Sequence, residues 1–214
     1  MKVIGWIVIL ALCGTLLAAC GATPAPAEPP AGPTQAAGPA EPEQAGEPAA
    51  QEQVVVLGFT ASRTGAQEVP STGQTRGLEL WLEEVNATGI DLADGTVVKF
   101  AFKTYDDESN KERVQQLYTK LINDDETNFL ISPYSSGLTD AAAVIAEQYN
   151  QVMVTTGAAS DATYQKGYKS VFQLYTPASR YLTGAVDLLG DLDATVKKIA
   201  FVYENDKFST DVVN

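Results

Sequence analysis

The chain has no histidine among its 214 residues and only two cysteines. Catalytic sites of the Ser-His-Asp or Cys-His kind are therefore excluded, and so is a metal site with imidazole ligands. Basic residues are also few, because 14 Lys and Arg stand against 27 Asp and Glu and leave a formal net charge of −13. Such a charge repels phosphate backbones, which argues against a nucleic-acid partner.

Both cysteines lie in an N-terminal segment that has the pattern of an export signal. Lys2 precedes an apolar run over residues 3–17, which is too short to remain as a membrane-spanning helix. The run ends in Leu17-Ala18-Ala19-Cys20, which resembles the bacterial lipoprotein signal, where the Cys is acylated and becomes the mature N-terminus. We therefore expect residues 1–19 to be a signal peptide and Cys20 to carry lipid. An ordinary signal peptide with an incidental Cys20 is the alternative.

Acylation of Cys20 would leave the folded part without a thiol, since Cys13 lies inside the signal. Disulfides, thiol nucleophiles and thiolate metal ligands are then excluded from the folded part. Any exported domain here must be held together by its hydrophobic core.

The segment after Cys20 is predicted to be a disordered tether over residues 20–52. Eight of the 11 prolines fall between Pro24 and Pro48, and residues 21–53 contain no aromatic side chain and no aliphatic one larger than Ala. Such a composition cannot bury enough apolar surface to offset the entropy of the chain. An extended, semi-rigid spacer is expected, with partner binding by the low-complexity segment as the alternative.

From residue 53 onward, strand and helix patterns alternate, which predicts an α/β fold with a doubly wound, mostly parallel sheet. Continuous or alternating apolar runs predict six strands, and apolar residues at helical spacing predict four helices. Ser109 and Glu112 have the spacing of a capping box for the second helix. The predicted strands are 54–59, 97–105, 129–131, 152–154, 171–174 and 199–203, and the helical faces are 78–85, 114–122, 138–149 and 181–189.

Three loops of small polar residues follow the first, third and fourth predicted strands, at residues 60–65, 132–137 and 155–161. In doubly wound sheets, ligands bind at the carboxyl ends of the strands, beside helix N-termini. Hydroxyl groups and free backbone N–H groups there form an anion site that suits a carboxylate. The loops around Ser135 and Thr156 contain neither Lys nor Arg, which argues against a phosphate.

At this point the sequence resembles a known family, the type I periplasmic substrate-binding proteins that serve ABC importers. Within it, the branched-chain amino acid (Leu/Ile/Val-binding) group is the most similar. The resemblance implies two lobes with a ligand cleft between them, a permease partner, a monomeric state, and no cofactor or metal. It extends from residue 53 to the last residue, and the matching segments are 57–62, 64–65, 77–86, 105–107, 132–136 and 157–160.

The resemblance also implies roles for individual residues. Ser136 stands where a Ser at a helix N-terminus binds the α-carboxylate, and Gly157 where a backbone carbonyl accepts from the α-ammonium. Ala159 departs from the family, which has a Thr hydroxyl there, and the neighbouring Ser160 is the candidate replacement. Phe208 departs as well, since a Tyr of the second lobe stands near that position.

The remaining predicted ligand contacts come from the same loops. Glu68, with Pro70, is placed on a loop that faces the side-chain pocket. Tyr134, Ser135 and Ala158 complete the set of predicted binding residues.

Each of these residues also has a purely structural interpretation. Ser135 and Ser136 could only cap a helix, residues 157–159 could be a plain turn, and Tyr134 could be a half-exposed surface residue. The carboxylate pair Asp106 and Asp107 is expected to cap or solvate a turn, since nothing nearby shows that the two converge on a substrate.

Three functions compete at this stage. An extracytoplasmic receptor that delivers an amino acid or related small amide to an ABC importer needs a hinged cleft and no chemistry. A sensory lobe that binds the same ligands for a signalling system would share that cleft. An enzyme is not expected, because the chain has no Gly-x-Ser-x-Gly elbow and no phosphate loop, besides lacking His.

Domain limits follow from the same resemblance. Residues 53–176 are expected to form the first ligand-binding lobe, and residues 177–214 an incomplete start of the second. The chain is therefore expected to be a C-terminally truncated fragment that carries half of a binding site, which could leave it without function. Residues after Pro177 are expected to pack poorly, because their sheet partners are absent.

Overall fold

The central strand of the fold is the apolar run that follows the Pro-rich segment. The computed structural model describes residues 51–214, and in it this run forms strand β1 (Glu52–Ala61). Strand β1 pairs in parallel with β3 (Val97–Asp106) on one side and with β4 (Phe129–Ile131) on the other. A strand with a neighbour on each side and a layer on each face is apolar where it is covered, and residues 54–59 of β1 are apolar in this way.

The sheet has six strands in the order β2-β3-β1-β4-β5-β6. All neighbours are parallel except the short edge strand β2 (Ile90–Asp91), which runs antiparallel to β3 and was not predicted. Strands β5 (Met153–Thr155) and β6 (Val171–Gln173) extend the opposite side of the sheet. The predicted doubly wound, mostly parallel α/β sheet is confirmed.

Helices α2 (Lys111–Asn123) and α3 (Ser136–Gln148) cover one face of the sheet and enclose the larger core. Both have the predicted apolar faces, and α3 places small Ala side chains against the sheet so that the two layers approach closely. The buried members of this core include Val114, Tyr118, Leu121, Leu130, Leu138, Ala142, Ala146 and Met153.

Helix α1 (Glu68–Thr88) covers the opposite face, over a smaller core of Leu57, Phe59, Ala61 and Ile131. Trp81 packs its ring against Phe100 and Phe102, with ring centroids 5.1 and 6.2 Å apart. Its side chain nevertheless stays 38% exposed, so Trp81 is a half-covered rim of this core rather than its centre.

Helix α1 begins ten residues before its predicted apolar face, and this corrects the prediction of a loop at Glu68 and Pro70. Both residues lie in the first turn of α1. Proline is tolerated there because the first N–H groups of a helix have no intrahelical acceptor. A proline therefore does not exclude a helix at this point.

The predicted capping box of α2 is also wrong. The N-cap is Asn110, whose Oδ1 accepts a hydrogen bond of 2.8 Å from the backbone N–H of Arg113. Ser109 has a left-handed backbone, with φ of 56°, and precedes the helix. Asn is as good an N-cap as Ser, so spacing alone could not separate the two.

The remaining helices are α4 (Asp161–Tyr164), α5 (Thr183–Leu192) and α6 (Lys207–Val213), with a short 3-10 turn at Ala178–Arg180. Neither α5 nor α6 has a buried residue, which agrees with the expectation of poor packing after Pro177. None of the helices over residues 51–214 is long and apolar enough to cross a membrane.

The predicted strand at residues 199–203 is wrong, because this segment is irregular and lies in no sheet. Val202 is fully exposed and Phe201 is 44% exposed. A strand is stable only when its backbone groups pair with a neighbour, and no described strand lies beside this segment. The predicted signal peptide, Cys20 and most of the tether lie outside the described residues, and the lobe boundary at 176/177 stays a prediction.

Tyr118 yields a test of the larger core. It is fully buried, and its hydroxyl donates a hydrogen bond of 2.5 Å to the carbonyl of Ile131. Burial raises the pKa of Tyr118 well above its usual value, because the phenolate would lose its hydration. In the unfolded chain the phenol ionises near pH 10, so unfolding is favoured as the pH rises above that value.

We therefore expect Tyr118→Phe to lower the free energy of unfolding by about 1 kcal/mol at pH 7. The variant should lose less stability than the wild type between pH 9 and 11, by about 1.4 kcal/mol. Urea unfolding at several pH values measures both effects. Tyr149→Phe is the control, because Tyr149 is 38% exposed. An equal alkaline slope in Tyr118→Phe and wild type would contradict the assignment.

Candidate ligand-binding cleft

The buried carboxylate of Asp107 organises the edge of the sheet where β1 and β3 end. It accepts hydrogen bonds from the hydroxyl of Thr60 at 2.7 Å, the hydroxyl of Ser62 at 2.6 Å and the backbone N–H of Ser109 at 2.9 Å. The expectation that Asp107 caps a turn is confirmed. The side chain also ties the loop after β1 to the loop after β3.

Asp106 holds the outer side of the same loop. Its carboxylate accepts from the backbone N–H groups of Arg63 and Glu108, both at 2.9 Å, and from the Thr64 hydroxyl at 3.1 Å. Burial alone would raise the pKa of Asp106, but these hydrogen bonds outweigh it and the pKa is lowered. Both carboxylates are thus engaged in loop structure, as expected.

Ser109 connects the loop after β1 to α2 more directly. Its hydroxyl donates to the Thr64 carbonyl and accepts from the Gln67 backbone N–H, both at 3.0 Å. Gly65 has φ of 87°, and a side chain there would come within 2.7 Å of the Ser109 oxygen. A glycine is therefore required at residue 65 on both conformational and steric grounds.

The loop after β4 leads into α3 through two serines with different roles. Ser135 is the N-cap: its hydroxyl accepts from the Leu138 N–H at 3.3 Å, and its own N–H donates to the Gly157 carbonyl at 3.2 Å. Ser136 is buried in the first turn, and its hydroxyl oxygen accepts from the Ser160 N–H at 3.2 Å. The loops after β4 and β5 are thereby held together.

The loop after β5 already binds a carboxylate, that of Asp211 on α6. The hydroxyl of Ser160 and the backbone N–H of Ala162, the latter at 3.2 Å, both donate to this carboxylate. Ala158 and Ala159 are buried, and their carbonyls accept from the Tyr164 hydroxyl and from the Ala178 N–H.

These loops and α6 enclose an open cleft of about 1030 Å³. Of the predicted binding residues, six line it: Tyr134, Ser135, Ser136, Gly157, Ala159 and Phe208. Phe208 also packs edge-to-face on Tyr181, with ring centroids 5.4 Å apart. The other three predicted binding residues do not line the cleft. Ala158 and Ser160 are sequence neighbours of the lining residue Ala159. Glu68 is exposed, and the two residues before it, Ala66 and Gln67, line the cleft in its place.

Several lining residues were not predicted, among them Lys111, Tyr175, Tyr181 and Asp211. Lys111 follows the N-cap of α2 and reaches toward Gly137, and Lys207 of α6 lines the cleft as well. The cleft therefore contains cations although the loops after β4 and β5 contain none. The position of Lys111 just after the second predicted strand was the available signal, since that strand ends at the same sheet edge. Over residues 51–214 no cluster of three acidic or thiol side chains could hold a metal ion.

A comparison with protein-family models identifies the family to which the chain belongs. The family model described as "Periplasmic binding protein" matches residues 54–214, about three quarters of the sequence. The chain belongs to the periplasmic binding protein family. Family membership and fold together confirm the resemblance read from the loop motifs.

Solved structures agree on the fold. LivJ of Streptococcus pneumoniae, a branched-chain amino acid transporter substrate-binding protein solved with isoleucine, is 24% identical, with a TM-score of 0.51, over 59% of this chain and 35% of its own. LivK, a leucine-binding protein of Thermotoga maritima, is 20% identical, with a TM-score of 0.52, over 65% and 37%.

A solute-binding protein of Rhodopseudomonas palustris, solved with 3,4-dihydroxybenzoic acid, is 16% identical, with a TM-score of 0.62, over 75% of this chain and 42% of its own. At these identities the likeness concerns the fold. The chain spans between 35% and 42% of the length of these three relatives.

We expect Asp107→Asn to lower the free energy of unfolding by about 1–3 kcal/mol, because an amide nitrogen replaces one acceptor oxygen in a buried site filled with donors. Asp106→Asn is the matched control and should cost about 1 kcal/mol or less, since Asp106 is partly exposed. The contribution of the Asp106 carboxylate to the free energy of unfolding is present above pH about 3.9 and is lost as the pH falls toward the lowered pKa of Asp106. Urea unfolding of both variants at neutral pH compares the two losses of stability, and a larger loss for Asp106→Asn than for Asp107→Asn would contradict this expectation.

Proposed function

We propose that this protein is the extracytoplasmic receptor of an ABC importer. In this proposal an amino acid or a related small amide is held in the cleft, with its carboxylate or amide carbonyl at the N-terminus of α3, and is delivered to a permease without chemical change. The observation that carries the proposal is the position of Ser136, a buried serine in the first turn of a long helix, facing an open cleft at the carboxyl edge of a parallel sheet.

Ser136 has a hydroxyl hydrogen to offer. Its oxygen accepts from the Ser160 N–H, and the hydroxyl donates no hydrogen bond within residues 51–214. Helix α3 is 13 residues long, so the partial positive charge of its N-terminus adds to the attraction for an anion. The Asp211 carboxylate, bound by a hydroxyl and a backbone N–H on the next loop, supports the same type of recognition.

Other lining groups suit the rest of such a ligand. The Gly157 carbonyl accepts one hydrogen bond from Ser135, and its second lone pair is proposed to accept from the ligand's ammonium group. Tyr134, Tyr181 and Phe208 provide apolar walls. Ser160 is proposed to replace the Thr hydroxyl that the family has at Ala159, and to do so it must exchange its hydrogen bond to Asp211 for one to the ligand. Ala158 is proposed as a backbone wall and Glu68 as a residue of the rim.

The ligands of solved relatives support a carboxylate as the shared element. LivJ was solved with isoleucine and the Rhodopseudomonas palustris protein with 3,4-dihydroxybenzoic acid. The two ligands differ in every respect except a carboxylate on a small organic skeleton. We therefore propose the class of small carboxylic acids, with amino acids first.

The same proposal covers the organisation of the chain. Residues 1–19 are proposed to direct export, Cys20 to carry a lipid anchor, and residues 20–52 to tether the protein to the membrane. Residues 53–176 are proposed to be the first lobe and residues 177–214 the beginning of the second. The periplasmic binding protein family is consistent with this extracytoplasmic location.

A panel of amino acids, small amides and small carboxylic acids tests the receptor function. Ligand-observed NMR detects weak as well as tight binding, and mass spectrometry of the same mixtures detects any product. We expect saturable binding of at least one carboxylic acid and recovery of that acid unchanged. Conversion of the bound acid would contradict a receptor, and the absence of binding across the panel would contradict the proposal that this chain holds its ligand in the cleft.

For an acid that binds, Ser136→Ala should weaken binding by about 1–3 kcal/mol, since a charged group loses a hydrogen-bond donor. Asn110→Ala is the control, because Asn110 caps α2 and does not line the cleft. It should lower the free energy of unfolding by about 1 kcal/mol while leaving the affinity near that of the wild type. An unchanged affinity in Ser136→Ala would show that Ser136 serves only the helix.

Lipidation is tested by metabolic labelling with an alkyne-tagged fatty acid in a bacterial host. The wild-type chain should be labelled, and Cys20→Ser should remove the label. Cys13→Ser should keep it, because Cys13 lies within the proposed signal peptide. A label that survives in Cys20→Ser would rule out this anchor.

A further inference from the structure

A second cavity, of about 390 Å³, adjoins the cleft. Gly73 and Gln74 of α1 line one side of it, and Tyr134, Thr156 and Tyr175 from the loops after β4, β5 and β6 line the other. Tyr134 and Tyr175 line the cleft as well, so the two spaces share a wall of aromatic rings. A ligand held in the cleft could extend into this cavity.

The amide of Gln74 presents an unpartnered acceptor. Its Nε2 donates a hydrogen bond of 2.9 Å to the carbonyl of Ser132, and this bond fixes which way the amide faces. Its Oε1 is buried and has no hydrogen-bond partner among the described residues. Because Oε1 can only accept, the group that would satisfy it must be a donor.

Thr156 presents a second such group. Its backbone N–H donates to the Ser132 hydroxyl at 3.2 Å, whereas its own side-chain oxygen Oγ1 is buried without a partner in the described part of the chain. Only three buried side-chain nitrogen or oxygen atoms over residues 51–214 lack a hydrogen-bond partner, and two of them belong to residues that line this one cavity. Buried polar groups are normally hydrogen-bonded, so this coincidence points to a missing occupant.

Gly157 links the cavity to the cleft. A Cβ atom at residue 157 would lie 2.2 Å from Gln74 Oε1 and 3.1 Å from the Tyr134 ring. The Gln74 carbonyl therefore rests against the backbone of a residue that also lines the cleft. Thr156, which lines the cavity, and Gly157, which lines the cleft, are consecutive in the chain, so the two spaces meet at this loop.

We propose that the cavity at Gln74 and Thr156 is a specificity subsite that takes a neutral hydrogen-bond donor, a hydroxyl or an amide N–H, at the distal end of the ligand. The inference rests on the proposed function, since the carboxylate of the same ligand is held at Ser136. None of the residues that line the cavity is charged, which is why the distal group is neutral. A purely aliphatic side chain would leave both buried atoms unpartnered and is therefore disfavoured.

Matched pairs of acids test the subsite with the 214-residue chain. The probes are threonine and valine, tyrosine and phenylalanine, and 4-hydroxybenzoate and benzoate, and the members of each pair differ by little more than one hydroxyl. Affinities come from ligand-observed NMR titration. We expect the hydroxylated member of at least one pair to bind about tenfold more tightly, as one hydrogen bond to a buried group would give.

Variants then test whether the preference for the hydroxylated acid depends on Gln74 and Thr156. Thr156→Val keeps the shape of the side chain and removes its hydroxyl, and Gln74→Met removes the acceptor, so each should bring the two members of the pair to within about twofold of each other. Thr104→Val is the control, because Thr104 carries the other unpartnered buried hydroxyl but does not line the cavity. It should leave the preference unchanged. Circular dichroism confirms that each variant folds, and Thr156→Val decides the matter if Gln74→Met does not fold.

The outcomes separate the two proposals. Equal affinities for both members of every pair in the wild type would overturn the subsite while leaving the receptor function in place. A preference that survives in Thr156→Val would also overturn it. If no acid binds at all, this inference is overturned together with the proposal that this chain holds its ligand in the cleft.

Discussion

The buried carboxylate of Asp107 is the constraint on which the cleft depends. It lies where the two longest strands end side by side, and it satisfies donors from the end of β1, from the loop after β1 and from the turn before α2. Removing one partner from such a buried set leaves the others without an acceptor, so the three segments keep one relative arrangement. Gln67 and Ala66, which line the cleft, are carried on a loop that this arrangement holds in place.

A chain with a net charge of −13 can still attract an acid, because recognition at this edge is local. The N-terminus of α3, the Ser136 hydroxyl and two Lys side chains line the cleft, whereas charges beyond about 10 Å are screened by salt. Three acidic side chains line it as well, and two of them, Asp206 and Asp211, are already bound by hydrogen-bond donors of the protein. The chain's own Asp211 carboxylate is bound by the loop after β5 on the same principle. Hydrogen-bond donors fixed by the fold, rather than overall charge, make this surface suitable for carboxylates.

Sequence patterns predicted most of the sheet and both helices over the larger core, because apolar periodicity there reports burial directly. They failed where the outcome depends on distant residues. The segment 199–203 has the composition of a strand but no described strand beside it, so it stays irregular. Asn110 rather than Ser109 caps α2, since Ser109 is engaged with the loop after β1. Among site residues, those on loops at strand ends were predictable from topology, whereas Gln74 and Asp211, on helices, were not.

The sequence by itself determined the fold class, the order of most strands and helices, the family, and the sheet edge at which the candidate site lies. Those properties follow from periodicity and from loop motifs, which are local in the chain. Only the tertiary structure decided which polar groups are engaged and which remain free: Ser136 with a hydroxyl hydrogen to donate, Asp107 fully committed, and Gln74 and Thr156 with buried atoms awaiting a partner. Hydrogen-bond satisfaction is a property of atoms brought together from distant parts of the chain, so no local pattern could reveal it.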